Sequence, residues 1–404
     1  MMNHSVSILK GLLLASALLV ALPPDSSAEP HQQAQSTQDP QDPQEASQAP
    51  PAYPKELDGI PLPTTASGEA TVELIEQLLP SKFRRNRCSS HVVYTDADWD
   101  SLTQIRNVLG RSWIEYRNFC RRMGVTVPRP DEKLVCIVFD QHEEFLTFAK
   151  QTEGDHAILE HSGGYFSPRF DWIVFFEPQN HDSAEEAYAK LEQQRSRIEN
   201  RRAGIDLQNL PAEEAQRILD RWAWQDQEMQ FAMENIEAWT DGRRTTVAIH
   251  EAVHQFTHVC HTWPGKDQWP VWLHEGMATS FETQNADQGF GPDQLNVDRD
   301  YQFISCLDEG RLMPLREFIA LEGYGDQSKE TLDVLYPQSY GLMTWLYEHR
   351  RSALTTFLKR LSAPPSEDGE QDAVVLFEEV FGDLDRLEKR WHGVEARDWR
   401  TRRH

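Results

Sequence analysis

The pentad His250 to His254 (HEAVH) constrains this chain more than any other feature of its sequence. An α-helix turns by about 100° per residue, so side chains four positions apart share one face. On a helix, His250 and His254 would therefore direct both imidazoles at a single metal ion. Glu251 would lie beside that ion, where a general base for water has to be. The pentad predicts a helical zinc site.

The residues around the pentad favour a helix. Thr245–His258 (TTVAIHEAVHQFTH) has apolar side chains that can bury the other sides of such a helix, namely Val247, Ala248, Val253 and Phe256. The preceding Asp241–Gly242 pair is typical of a turn, so we expect the helix to begin after it.

A catalytic zinc ion usually has three protein ligands and one open position, so a third ligand is expected elsewhere. Glu275 is the preferred candidate, because Pro270 can begin a second helix (VWLHEGMATSFE) that carries this glutamate towards the first. His274 is an alternative. It lies about 100° from Glu275 around the second helix, so only one of the two can face the metal.

Other polar side chains near the predicted site could contact the metal ligands without binding the metal themselves. His258 extends the histidine face of the first helix by one turn, about 6 Å along the axis, which is too far for a compact tetrahedral site. We expect His258 and His261 to lie at the surface or around the ligands. Thr279 and Glu282 lie further along the second helix, and either could hydrogen-bond a ligand imidazole.

HEAVH followed by WLHEGMA resembles the gluzincin clan of zinc metallopeptidases, which are peptidase-MA-like. A metzincin would need glycine at position 257 and histidine at position 260, where this chain has Thr257 and Cys260. The form Pro-x-Trp-Leu-x-Glu-Gly-x-Ala is similar to secreted bacterial proteins, many of which belong to a domain family of unknown function. The resemblance covers roughly residues 88 to 362. It implies a zincin-like lobe, a protein or peptide substrate, and a Zn²⁺ cofactor held by His250, His254 and Glu275.

The resemblance also implies water-mediated hydrolysis of a peptide bond. Glu251 would take a proton from water and pass it to the leaving amine, and a phenol would stabilise the oxyanion. Leu335–Glu348 (LYPQSYGLMTWLYE) resembles the helix that supplies this phenol, with Tyr336 the best match and Tyr340 one turn further along. Two alternatives stay open: a secreted binding or scaffolding protein with a structural metal site, and a hydrolase of a non-peptide amide.

The remaining pattern predicts an α+β fold, with a small α/β lobe and mixed sheet at 55–181 and a mainly helical catalytic lobe at 241–395. Strands and helices of the first lobe are expected at Val92–Thr95, Trp99–Met123, Leu134–Phe139, Glu143–Lys150, around Tyr165 and at Trp172–Phe176. The last of these strands is a candidate for pairing with an extended substrate. Charged composition and apolar residues every seven positions predict a helical hairpin at 182–240, either a packed insertion or a lid or partner-binding arm.

Residues 1–28 contain Lys10, an apolar run and small residues before Glu29, which predicts a signal peptide and export to the periplasm or the exterior. Residues 29–54 are rich in Gln, Pro, Ser and Ala and are expected to form a disordered linker. No later apolar run approaches about 20 residues, so no integral membrane segment is expected after signal cleavage. The segment 396–404 is a basic tail, and its last five residues, 400–404, are expected to form a frayed terminus.

The net charge of −25 argues against nucleic acid as a partner, because nucleic-acid binding requires a basic face. Five cysteines in an exported chain permit up to two disulfides. A bond between Cys260 and Cys306 would brace the end of the metal helix, whereas Cys136 could be a buried thiol. The oligomeric state does not follow from the sequence.

Overall fold

The computed structural model describes residues 53–154, 163–260, 269–321, 329–363 and 372–402. The predicted signal peptide and most of the predicted linker lie outside these ranges, as does His261. Within them, no helix combines the length and the apolar character needed to cross a bilayer.

The fold is α+β, as predicted. The strands are β1 (Glu56–Leu57), β2 (Ile60–Pro61), β3 (Arg84–Arg87), β4 (His91–Thr95), β5 (Leu134–Phe139), β6 (Gly164–Ser167) and β7 (Trp172–Phe176). The helices are α1 (Glu69–Leu78), α2 (Trp99–Arg122), α3 (His142–Glu153), α4 (Asp182–Ala203), α5 (Ala212–Val259), α6 (Val271–Thr279), α7 (Val297–Asp308), α8 (Leu315–Ile319), α9 (Lys329–His349), α10 (Arg351–Leu361), α11 (Ala373–Phe381) and α12 (Leu384–Arg402). Each strand and helix expected between Val92 and Phe176 is present.

Strands β3 to β7 form one mixed sheet in the order β3-β4-β5-β7-β6. The three inner strands are parallel, and the outer strands β3 and β6 run antiparallel to their neighbours. Because β7 pairs with β5 on one side and β6 on the other, it has no open edge. The prediction that Trp172–Phe176 could receive a substrate strand is therefore wrong, and β6 is the edge strand on that side.

The two faces of this sheet bury different helices, as expected when successive side chains point to opposite faces. One face joins α2 and the end of α5 in the larger core, through Val93, Cys136, Val138, Ile173 and Phe175. The other face joins α1 and α3 in a smaller core, through Val92, Val135, Ile137 and Val174. The sheet is thus covered on both sides, and the helix with the pentad is one of its covers.

Helix α5 is continuous over 48 residues, so the turn predicted at Asp241–Gly242 is absent. Gly242 is helical, and a Cβ at this position would lie 3.2 Å from Cβ of Gln284. Glycine is therefore suited to close packing here. An Asp-Gly pair is typical of turns, but the helical residues on both sides override that local preference.

The chain divides into two compact units. Of the described residues, one unit contains Ser183–Trp239 and Tyr53, and the other contains those in Pro54–Asp182 and after Trp239. The first unit holds α4 and the beginning of α5, so helices form where the heptad spacing predicts them. The second unit holds the whole sheet, the pentad and the helices that follow it.

All five cysteines are free thiols, so Cys260 and Cys306 are not bonded to each other. Cys136 is fully buried in β5, as the alternative interpretation required. The backbone of α12 continues to Arg402, so the prediction of a frayed terminus at 400–404 is wrong for residues 400–402, and residues 403 and 404 lie outside the described ranges.

Helix α6 packs directly on α9 at Gly276. A Cβ at Gly276 would lie 2.7 Å from the carbonyl oxygen of Ser339 and 2.9 Å from Cβ of Met343. Side-chain carbons do not approach other atoms so closely, so only glycine allows these two helices to lie at this distance.

We expect Gly276→Ala to lower the free energy of unfolding by about 1–3 kcal/mol, because α6 has to move away from α9. Denaturant titration followed by circular dichroism measures this change. Gly393→Ala is the matched control, since Gly393 is also helical and no heavy atom of the described residues lies within 4 Å of its Cβ position. Alanine there should stabilise α12 by up to about 1 kcal/mol. Equal effects of the two substitutions would contradict the packing argument.

Candidate metal centre

The three predicted ligands meet at one point. His250 and His254 lie one turn apart on α5, with their Nε2 atoms 3.0 Å apart. Glu275 on α6 places its two carboxylate oxygens 3.2 Å from Nε2 of His250 and 3.6 Å from Nε2 of His254. Among the described residues, this group of three is the one whose ligand atoms converge closely enough to hold a metal ion.

The size of this triangle fits zinc. Bonds of about 2.0–2.2 Å in tetrahedral geometry separate neighbouring ligand atoms by about 3.3–3.6 Å. Two imidazoles and one carboxylate are also a ligand set of catalytic zinc sites. The side chains of His250 and His254 keep 12% and 15% of their surface exposed, whereas Glu275 keeps 2%. Solvent therefore reaches the triangle from the histidine side, where a fourth ligand position would lie.

Glu282 sets the orientation of His250. Its Oε1 lies 2.8 Å from Nδ1 of His250, so Nδ1–H donates to the carboxylate and Nε2 faces the other ligands. Helix α6 ends at Thr279, and Glu282 reaches the imidazole from the turn that follows. The hydroxyl of Thr279 donates instead to the backbone carbonyl of Glu275 at 2.6 Å. Of the two supporting candidates, Glu282 makes the contact.

Arg299 on α7 completes a row of alternating charges. Its Nε and Nη2 donate to the two carboxylate oxygens of Glu282 at 2.6 and 2.9 Å. Burial opposes ionisation of Glu282, but Arg299 and His250 lower its pKa to about 2.

Burial also opposes a charge on His250, but hydrogen bonds to Glu275 and Glu282 raise its pKa well above the ordinary value. Burial lowers the pKa of His254 to about 3. Without metal, His254 is therefore neutral and His250 carries one additional proton, which a metal ion would displace.

Glu251 lies beside the triangle and is only 8% exposed. Burial raises its pKa to about 7, against the lowering effect of His250. The backbone N–H of Phe166, in the edge strand β6, lies near its carboxylate and lowers this pKa slightly. A carboxyl group with a pKa near neutrality can both accept and release a proton. The structure thus places the predicted base next to the ligand triangle and near the edge strand β6.

The two candidate tyrosines have different surroundings. The ring centroid of Tyr336 lies 6.1 Å from that of His250. The charge of Glu275 and burial raise the pKa of Tyr336, so its phenol keeps the proton and can donate it in a hydrogen bond. The hydroxyl of Tyr340 contacts Asn296 at the start of α7, accepting from its N–H at 3.2 Å and donating to its carbonyl at 3.5 Å. Tyr336 is the tyrosine beside the metal centre.

The rival histidines lie outside the triangle. The ring of His274 is 6.5 Å from that of His254 and 5.5 Å from that of Trp269, measured between centroids. Nε2 of His258 lies 3.7 Å from a carboxylate oxygen of Asp171. Neither belongs to the converging group.

Gln255 fixes the opposite face of this part of α5 to the sheet. Its amide nitrogen donates to the carbonyls of Val135 at 3.0 Å and Asp171 at 2.7 Å. Its oxygen lies 2.9 Å from Nε2 of His91, which is fully buried. Burial lowers the pKa of His91 to about 4, so the neutral ring donates to Gln255. These bonds hold the helix that carries both histidine ligands.

Sequence reasoning did not find Arg299 or Gln255. Arg299 lies 17 positions after Glu282 in a different element, so no local spacing connects them. A polar residue on the buried face of the predicted metal helix was an available signal for Gln255, because a buried amide needs partners.

Residues 244–367 match the model of a family described as a protein of unknown function (DUF1570). The matched segment covers less than a third of the chain and includes the ligand triangle, Glu251, Glu282, Arg299 and Tyr336. This agrees with the expected similarity to a domain family of unknown function, and the family description names no activity. No protein with a curated description matches the chain.

We expect the protein to retain one zinc ion per chain after dialysis, as measured by plasma mass spectrometry. Glu275→Ala should remove this zinc, because two imidazoles alone do not make a closed set of protein ligands. His274→Ala is the matched control and should retain it, since His274 lies outside the triangle. Zinc loss from the control with retention in Glu275→Ala would contradict the ligand set.

Glu282→Gln should weaken zinc binding by about 10- to 100-fold, because the neutral amide no longer holds His250 as a charged acceptor does. Competition with a chromogenic chelator measures the affinity. Glu309→Gln serves as control, since Glu309 is exposed and contacts Ser305 and Arg311. Unchanged affinity in Glu282→Gln would show that the contact with His250 does not support the metal.

Proposed function

We propose that this protein is an exported zinc metallopeptidase that hydrolyses peptide bonds in protein or peptide substrates. The observation that carries this proposal is the position of Glu251, which directly follows the candidate ligand His250 on α5, is buried, and lies near the backbone of the edge strand β6. The resemblance of HEAVH and WLHEGMA to gluzincins supports the choice of zinc and of peptide hydrolysis. The features of residues 1–28 support export.

Strand β6 offers an extended peptide a place to bind beside Glu251. Among the described residues, β6 pairs with β7 on one side and is the last strand of the sheet on the other. The backbone of Phe166 in this strand lies near the carboxylate of Glu251. A Cβ at Gly164 would lie 3.0 Å from Cγ1 of Val247, so glycine allows the strand to lie close to α5. A substrate that pairs with β6 as an additional strand would run past Glu251.

Each residue of the centre has a defined task in this reaction. Zinc, when bound to His250, His254 and Glu275, supplies Lewis-acid polarisation of the carbonyl and lowers the pKa of water to about 7. Glu251 removes the proton from the attacking water and delivers it to the leaving nitrogen. The phenol of Tyr336 donates a hydrogen bond to the developing oxyanion.

The first test is digestion of a mixed pool of proteins and peptides by the zinc-loaded protein without residues 1–28, read by mass spectrometry. Cleavage should occur and should fall by at least about 100-fold in Glu251→Gln, which removes the base. Zinc content, measured in parallel, should be equal in both proteins, because Glu251 is not a ligand. A folded, zinc-loaded wild-type protein that cuts nothing would contradict the proposal and direct attention to non-peptide amides or a binding role.

Tyr336→Phe should lower kcat by about 100-fold or more while leaving KM and zinc content unchanged, because the phenol acts on the transition state. Tyr340→Phe is the matched control, since its hydroxyl contacts the backbone of Asn296. We expect it to retain kcat and to lose only the stability of one hydrogen bond, about 1 kcal/mol. Steady-state kinetics on a cleaved peptide measures both variants. The reverse order of effects would move the oxyanion role to Tyr340.

A further inference from the structure

Arg243 lies on the same face of α5 as the metal ligands. It precedes His250 by seven residues, which is two helical turns or about 10 Å along the axis. The residue is exposed, and its guanidinium lies close to Gly163, which directly precedes the edge strand β6. The helix thus presents a cation and both histidine ligands in one row.

Arg243 differs from its neighbour Arg244 in having no carboxylate partner. Arg244 is buried and bonds to Glu177 at 2.7 Å and Asp241 at 2.6 Å. No hydrogen bond or ion pair involves Arg243 among the residues that the structure describes. In a chain of net charge −25, a cation left without a carboxylate beside a metal centre is a local exception that suits an anionic ligand.

The surroundings of Arg243 also favour an anion. Although Arg243 keeps part of its surface exposed, nearby protein atoms desolvate its guanidinium. This desolvation and the positive charge of Arg299 lower the pKa of Arg243, while Glu282 raises it. Both carboxylate oxygens of Glu282 are already bonded to Arg299. A carboxylate that binds here could therefore accept hydrogen bonds from the guanidinium N–H groups of Arg243, and the positive charge of Arg299 would also attract it.

The edge strand links this cation to the proposed cleavage point. A Cβ at Gly163, just before β6, would lie 3.6 Å from Nη2 of Arg243. Phe166, whose backbone lies near Glu251, is three residues further along, or about 10 Å in an extended strand. A peptide pairing antiparallel to β6 would therefore run from Glu251 towards Arg243 in its C-terminal direction. Antiparallel pairing is the more stable arrangement and is the one β6 already makes with β7.

We infer that Arg243 forms a carboxylate-binding subsite, which selects peptides carrying an acidic group two or three residues to the C-terminal side of the cleaved bond. The acidic group is a Glu or Asp side chain, or the terminal carboxylate of a short peptide. This inference rests on the proposed peptidase function and adds a substrate class to it.

The kinetic test uses one peptide that the wild-type protein cleaves, with both termini capped so that they carry no charge. Pairs of peptides that differ only in having Glu or Gln at one position are compared. The positions are the second and third residues on the C-terminal side of the cleaved bond and, in separate peptides, the second and third residues on its N-terminal side. We expect Glu on the C-terminal side to lower KM by about 5- to 10-fold with little change in kcat. Arg243→Gln should abolish this difference. Arg217→Gln, which removes an exposed arginine elsewhere on α5, should preserve it.

A binding test separates this inference from the proposed activity. Capped nonapeptide pools that contain either one Glu or one Gln are titrated by fluorescence anisotropy against zinc-loaded Glu251→Gln, with and without Arg243→Gln. Tighter binding of the Glu pool that depends on Arg243 supports the subsite even if the wild-type protein cleaves nothing. Cleavage without any Glu preference, a preference unchanged in Arg243→Gln, or a preference confined to the N-terminal side would overturn it.

Discussion

The close contact between α6 and α9 is the constraint on which the metal centre depends. Gly276 lets the backbone of Ser339 approach to a distance that any side chain would prevent. Glu275 directly precedes this glycine, and Tyr336 lies one turn before the contact on α9. One helix–helix contact therefore positions both the third ligand and the phenol, while α5 supplies the two histidines. The packing of α6 on α9 therefore explains why a glycine, Gly276, directly follows Glu275.

Buried charges around the centre are arranged so that each has an opposite neighbour. Arg299 binds Glu282, Glu282 binds His250, and the imidazole faces Glu275. A buried charge without a partner is costly, so the members of such a row depend on one another. Arg243 is the exception, because no hydrogen bond or ion pair joins it to a carboxylate among the residues that the structure describes.

Much of the local architecture could be predicted from the sequence because it depends on short-range periodicity. The four-residue spacing of His250 and His254 places them on one helical face wherever a helix forms. The apolar runs at Leu134–Phe139 and Trp172–Phe176 become strands at the expected positions. The errors arise where a local signal meets a tertiary constraint. Gly242 is helical because the helix continues through it from both sides, although an Asp-Gly pair favours a turn, and its missing side chain leaves room for Gln284.

The sequence by itself determined the ligand types, the helical row of two histidines and the glutamate beside them, because these depend on residue chemistry and helix geometry alone. Only the tertiary structure decided that Glu282 and not Thr279 contacts His250, that Tyr336 lies next to His250 while Tyr340 contacts Asn296, and that β6 and not β7 is the edge strand. Each of these choices depends on contacts between segments far apart in the chain. Local periodicity determines on which face of a helix or strand a side chain lies. The packing of helices and the order of strands determine which other residues that face contacts.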